Sequence, residues 1–220
     1  TVSLAPVGFE LTAGSVVFAV SVVAEYAPNT HVTGGLFYFA SAYKAPGSTG
    51  QVVFKVWDSD GTAGAPGTVL GTDTVDLADI VTDVQGNYLT QTLFNPPINV
   101  TSDFYFGFEM LNFDLWTGGT RDSLSLVQTQ DGVTAGSIPW EYSNLGTGYD
   151  WYDLATAWGF LSTTLFATPY MTTLTPTPMF TSDVQTGCQG TTITFDAGAS
   201  TNANGYYWDV DGDGAYDWYT

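Results

Sequence analysis

The sequence predicts an all-β chain whose first part, residues 1–171, is an antiparallel β-sandwich of jelly-roll-like type. Short runs rich in Val, Phe, Tyr and Thr recur between clusters of Gly, Pro, Asn and Asp, the alternation of strands and turns expected in sandwiches. Helical periodicity is nearly absent. The acids lean the same way: only Glu10, Glu25, Glu109 and Glu141 are glutamates among 22 acidic residues. The other 18 are aspartates, which favour turns over helices.

The expected strands, in order, are Val16–Ala24, Gly35–Ala40, Gln51–Trp57, Val69–Val75, Tyr88–Phe94, Phe104–Leu111, Ser123–Thr129, Trp158–Ala167, Thr191–Phe195 and Gly205–Asp209. Leu77 to Val81 reads as one helical turn. Within Gln51–Trp57, Val52, Phe54 and Val56 alternate with Val53, Lys55 and Trp57, so one face can hold a core while Lys55 reaches solvent. In the same way Phe104, Phe106 and Phe108 share a face opposite Tyr105, Gly107 and Glu109. Phe54, Phe104, Phe106, Phe108 and Trp158 are the expected core. The spacing is too wide for a solenoid, and no internal repeat is visible. Residues 172–178, Thr-Thr-Leu-Thr-Pro-Thr-Pro, read as a stiff extended linker, with 179–220 as a second domain.

Net charge is −19 because cations are scarce: Lys44, Lys55 and Arg121 are all there are. Nucleic-acid binding and attraction to anionic lipid both need cations, and both are excluded as expectations. No run reaches the roughly 18 apolar residues of a membrane-spanning helix, so no membrane insertion is expected. The most apolar run, Val16 to Ala24, is broken by Ser21 and has no basic flank, so it is read as a buried strand and any leader as already removed.

Catalytic constellations are missing from the sequence. His31 is the single histidine, G-x-S-x-G and H-E-x-x-H do not occur, and nothing singles out a pair of glutamates. The expectation is a protein that is not an enzyme. Cys188, the single cysteine, is either a small buried hydrophobe or a thiol whose partner lies beyond residue 220.

Three segments invite a ligand. Asp209, Asp211, Asp213 and Asp217 place four carboxylates within nine residues, and Gly212 and Gly214 permit a tight turn. The D-x-D-x-D-G order is that of the start of a Ca²⁺ loop, but Thr220 stands where an EF-hand has its bidentate glutamate; the other reading is a solvated Asp-Gly turn. Asp58-Ser-Asp-Gly61 is either a small ion site or a turn in which Asp caps its own backbone. Trp140, Tyr142, Tyr149, Trp151 and Tyr152 crowd five aromatic rings into thirteen residues. Exposed, they would stack on sugar faces; buried, they would close an open end of the sandwich.

Residues 179–220 resemble a polycystic kidney disease (PKD) domain, an immunoglobulin-like sandwich, through Phe180, GTTITFDAGAS and YYWDVDGDG, with Trp208 in the family's core tryptophan position. The resemblance covers about half of such a domain and implies that Cys188 pairs with a cysteine after residue 220. Residues 30–170, through GGLFYFASAY, P-G-T-V-L, F-x-x-P-x-x-V and the Trp-rich stretch ending in AWGFLSTTLFATPYM, resemble a β-sandwich module of secreted multidomain proteins of the Bacteroidetes. There such modules precede PKD-type repeats, and a C-terminal type IX secretion signal can follow. The resemblances imply an extracellular or cell-surface adhesion or structural module, with glycans or other surface proteins as partners and further domains after residue 220. The alternative they leave open is a carbohydrate-binding accessory module of a secreted hydrolase.

Overall fold

The computed structural model describes residues 4–5, 17–22, 30–114, 121–132, 139–144, 148–157, 163–184, 186–203 and 205–219. They fall into two compact units, one ending at Thr172 and the other holding Thr173–Thr220. In chain order the elements are β1 (Leu4–Ala5), β2 (Val17–Val22), β3 (Thr30–Phe37), β4 (Phe39–Tyr43), β5 (Gln51–Asp58), β6 (Val69–Asp76), α1 (Leu77–Gln85), β7 (Thr90–Asn99) and β8 (Phe104–Leu111). Next come β9 (Ser123–Leu126), β10 (Gln128–Thr129), β11 (Pro139–Asn144), β12 (Tyr149–Asp153), α2 (Leu154–Ala157) and β13 (Ala167–Thr173). The second unit holds β14 (Thr181–Ser182), β15 (Phe195–Asp196), β16 (Tyr207–Trp208) and β17 (Trp218–Tyr219).

The first unit is an all-β, sandwich-like fold. A six-stranded antiparallel sheet runs β12-β11-β2-β8-β5-β6, opposed by a three-stranded sheet β13-β3-β7 and the pair β4-β9. The chain crosses between these layers repeatedly rather than completing one sheet first. The core between them follows from the period-two pattern. Phe54 lies opposite Phe108 and Val56 opposite Phe106 across the β5–β8 ladder, and all four are buried. From the other layer Phe37 packs its ring 4.6 Å from Phe54 and 4.8 Å from Phe106. Gly35 sits on the same strand as Phe37, and a Cβ there would lie 2.5 Å from the Phe106 ring and 2.6 Å from the Thr168 carbonyl, so the layers meet over a residue with no side chain. Phe54, Phe104, Phe106 and Phe108 are buried as expected; Trp158 lies outside the described residues.

The expected turn at Leu77 is a nine-residue helix. Leu77, Ile80, Val81 and Val84 fall at helical spacing and pack on the core. Asp76 caps the helix by accepting from the Ala78 N–H at 2.8 Å, and Lys44 pairs with the same carboxylate at 2.5 Å. β7 begins later and runs longer than expected, through Pro96 and Pro97, which its place at the edge of its sheet tolerates. The expected strand Trp158–Ala167 is replaced, within the described residues, by β13, which continues into the first two residues assigned to the linker. Strands β11 and β12 lie outside every expected strand.

The second unit contains two short antiparallel ladders, β14–β15 and β16–β17. Phe180, Phe195 and Trp208 bring their rings within 5.7–6.4 Å of one another. Ala197 is the one buried residue among those described from Thr173 onward. Cys188 is exposed, which removes its reading as a buried hydrophobe.

Candidate functional site

The outer face of the six-stranded sheet is lined by the residues that alternate with the core. β5 contributes Lys55 and Trp57, β8 contributes Tyr105 and Glu109, β11 contributes Trp140 and Tyr142, and β12 contributes Tyr149, Trp151 and Asp153. Register sets Trp57 opposite Tyr105, Tyr142 opposite Trp151, and Trp140 opposite Asp153. Side chains on opposite partners share a face, so the aromatic-rich sequence folds into a hairpin with four rings on one side.

These rings form a connected row. Tyr149 stacks on Tyr142 at 5.9 Å with an angle of 22° between the planes. Tyr142 meets Trp151 at 5.4 Å, and Trp151 stands edge-on to Trp57 at 5.7 Å. Tyr105 contacts Trp140 edge-on at 6.3 Å. Burial is graded along the row. Trp57 and Tyr105 are 4% and 7% exposed, Trp140, Tyr142 and Trp151 are half-buried, and Tyr149 is 50% exposed. The Tyr105 hydroxyl donates to the Gly64 carbonyl, and burial pushes its pKa above the usual phenol range, with Asp103 adding to the rise and the nearby Trp140 indole opposing it. Lys55 pairs with Glu109 beside the row. Lys55 is therefore a largely covered partner rather than a free solvent-facing charge.

Four of the five rings singled out in the sequence thus come together. Tyr152 does not join them: it lies opposite Glu141, which is 1% exposed, on the other side of the hairpin. Sequence reasoning missed Trp57 and Tyr105. Their signal was present as the off-core positions of the two most regular strands, but their approach to β11 and β12 depends on the order of strands in the sheet.

The acidic loop keeps three of its four aspartates together. One carboxylate oxygen from each of Asp209, Asp211 and Asp217 lies within 4.8 Å of the others, and all three residues are exposed. Asp213 stands outside the group and accepts from the Ala215 N–H at 2.7 Å. Asp209 accepts from the N–H groups of Gly212 and Gly214 at 2.7 and 3.0 Å, and Asp217 accepts from Val210 at 2.8 Å. The loop closes with Gly212 and Gly214 at φ 77° and 90°, a conformation that suits glycine.

The Asp58–Gly61 segment opens a longer loop between β5 and β6. Asp58 accepts from the Ser59 N–H and the Ser102 hydroxyl, and Asp60 accepts from the Thr68 N–H and hydroxyl at 2.6 and 2.7 Å. Protein donors occupy both carboxylates, as the turn reading requires. Asp122, unmarked in the sequence, is 3% exposed. It accepts from the Ala45 and Asp114 N–H groups, each at 2.7 Å, and from the Ser48 hydroxyl, tying separate loops together. His31 sits in β3 opposite Asn99.

Comparison with family models, with curated proteins and with solved structures returns no match.

Proposed function

We propose that this chain is a non-catalytic contact module of a secreted or cell-surface protein, serving adhesion or structural display. The outer ring row carries this reading. A sandwich needs one apolar face per sheet, and here the second face of the large sheet carries Trp and Tyr as well, with Tyr149 half exposed at its end. The PKD-like unit is proposed as a spacer, and its exposed Phe180 and Trp218 rings as the seat of further domains of the same polypeptide. Extracellular location, of the type IX secreted Bacteroidetes kind, is supported by the two sequence resemblances.

Ca²⁺ is proposed as a rigidifying ion of that spacer. The donors suit it, since Asp209, Asp211 and Asp217 offer hard carboxylate oxygens from one exposed loop. The experiment for the contact reading has two parts. Protease treatment of intact producing cells should remove the chain from their surface. The purified chain should adhere to isolated cell-envelope material, and Tyr149→Ala with Trp151→Ala should abolish adherence. Protection from protease, or adherence untouched by the double variant, would reject the reading.

A further inference from the structure

We infer that the ring row on the outer face of β5, β8, β11 and β12 binds an uncharged glycan chain. The inference rests on the contact reading above and names its partner. The rings are all Trp and Tyr, which pair an apolar face with a polar edge, the combination that stacks on the C–H face of a sugar while bonding its hydroxyls. They are also held in place before any ligand arrives. Trp151 is braced edge-on by Trp57 at 85° and by Tyr142 at 60°, so little side-chain freedom remains to be lost on binding.

Charge selects among partners. The molecule carries −19, which opposes acidic polysaccharides, phosphates and anionic membranes. The face itself holds a small share of that charge, since hydrogen bonding orients the Asp153 carboxylate without neutralising it. Lys55 and Glu109 pair with each other, and Asp153 accepts from the Thr156 N–H at 2.8 Å. Asp150 alternates onto the other side of the hairpin, opposite Ser143, and accepts from the Trp151 N–H. Asp103 acts on the Tyr105 hydroxyl, at the far end of the row from Tyr149. A cationic peptide would want an unspent carboxylate among the exposed rings. A neutral ligand wants what is there: Tyr149, Tyr142 and Trp151, graded from open to half-covered.

The test is affinity electrophoresis of the intact chain through gels containing a neutral β-glucan, a xylan or a mannan, with alginate and oligolysine as charged comparators. Retardation by at least one neutral polysaccharide is expected, and none by alginate; any retardation by oligolysine, which a charge of −19 attracts across the whole surface, should be indifferent to Tyr149→Ala. Tyr149→Ala should weaken the neutral-polymer retardation about tenfold, the size of one lost ring contact. Tyr149→Phe, which keeps the ring, should restore most of it, and Tyr207→Ala in the second unit should change nothing. The melting temperature of each variant shows whether it is folded. No retardation by any of the three neutral polymers, retardation by alginate or oligolysine alone, or indifference of the neutral-polymer retardation to Tyr149→Ala overturns the inference. If envelope adherence still needs Tyr149 and Trp151 while no neutral polymer retards the chain, the glycan assignment falls and the contact reading stands.

Discussion

The two faces of the six-stranded sheet use aromatic residues differently. The inner face takes phenylalanine: Phe54, Phe104, Phe106 and Phe108 are each no more than 3% exposed. The outer face takes tryptophan and tyrosine, at positions one residue along the same strands or on the β11–β12 hairpin. Phenylalanine has no polar atom to satisfy and can be sealed completely. Tyrosine and tryptophan carry an O–H or N–H that wants a partner, and they are suited to surfaces that are part apolar and part wet. The second unit shows a third arrangement: its Phe180 and Trp218 are each 63% exposed within the described residues. Ring content alone therefore does not separate the inner face of the sheet from the outer; ring type and burial together do.

The largest expected effect falls on the inner face. Phe106→Ala removes a fully buried ring that packs against Phe37 and Phe94 and should cost about 3–5 kcal/mol of the first unit's stability in a urea melt. Tyr149→Ala, by contrast, should stay within about 0.5 kcal/mol of the parent. Equal costs would make the outer row an ordinary second core and erase the contrast.

Asp122→Ala comes next. It strands the Ala45 and Asp114 N–H groups and the Ser48 hydroxyl, and should cost about 2–3 kcal/mol by the same melt, with Asp122→Asn recovering part of the loss. A loss below about 0.5 kcal/mol would mean that solvent replaces the carboxylate, and that these loops are not tied through it.

Calcium should separate the two units. At a hundredfold excess over its dissociation constant it should stabilise the second unit by about 2.7 kcal/mol, and leave the first unchanged. Excess chelator should reverse the shift in the thermal melt, and Asp209→Asn should remove it. An unchanged midpoint leaves the Asp-Gly turn as a sufficient account of the loop.

The smallest effect is that of acid. Asp76 is held below the usual carboxylate range by the Lys44 ammonium and the Ala78 N–H, and Asp60 by the Thr68 hydroxyl and N–H. A carboxyl whose folded pKa is depressed contributes its stability above the unfolded value, about 3.9, and loses it as pH falls through the folded value. Stability should therefore decline slightly from about pH 4 downward, and Asp76→Asn should flatten part of that decline. A decline that begins near neutrality would assign acid sensitivity to other groups.

Much of the fold was legible because β5 and β8 obey a strict period of two, and because Leu77, Ile80, Val81 and Val84 obey a helical one that extends past the single turn expected at Leu77–Val81. The hairpin was not legible as strands. Its two aromatic runs are separated by Asn144, Gly146 and Gly148, and the whole stretch reads as loop until the runs are paired. Pairing then sorts Trp151 from Tyr152, neighbours in sequence that occupy opposite faces. The meeting of Trp57 with Trp151 could not be read locally, because β11, β2 and β8 lie between their strands in the sheet. In the acidic loop the sequence pattern named four aspartates; all four accept backbone N–H groups, and Asp213, which accepts from Ala215, stands outside the group of three.

Indole N–H resonances offer the most direct measurement of the central claim, that the outer face is the contact surface. The intact, ¹⁵N-labelled chain is titrated with an oligosaccharide of the neutral polymer that retards it, and the indole signals are assigned by Trp→Phe variants. The account predicts saturable shifts for Trp151, smaller ones for Trp57 and Trp140, and none for Trp208 or Trp218. Shifts confined to Trp208 and Trp218, or none at Trp151 at saturation, would contradict it.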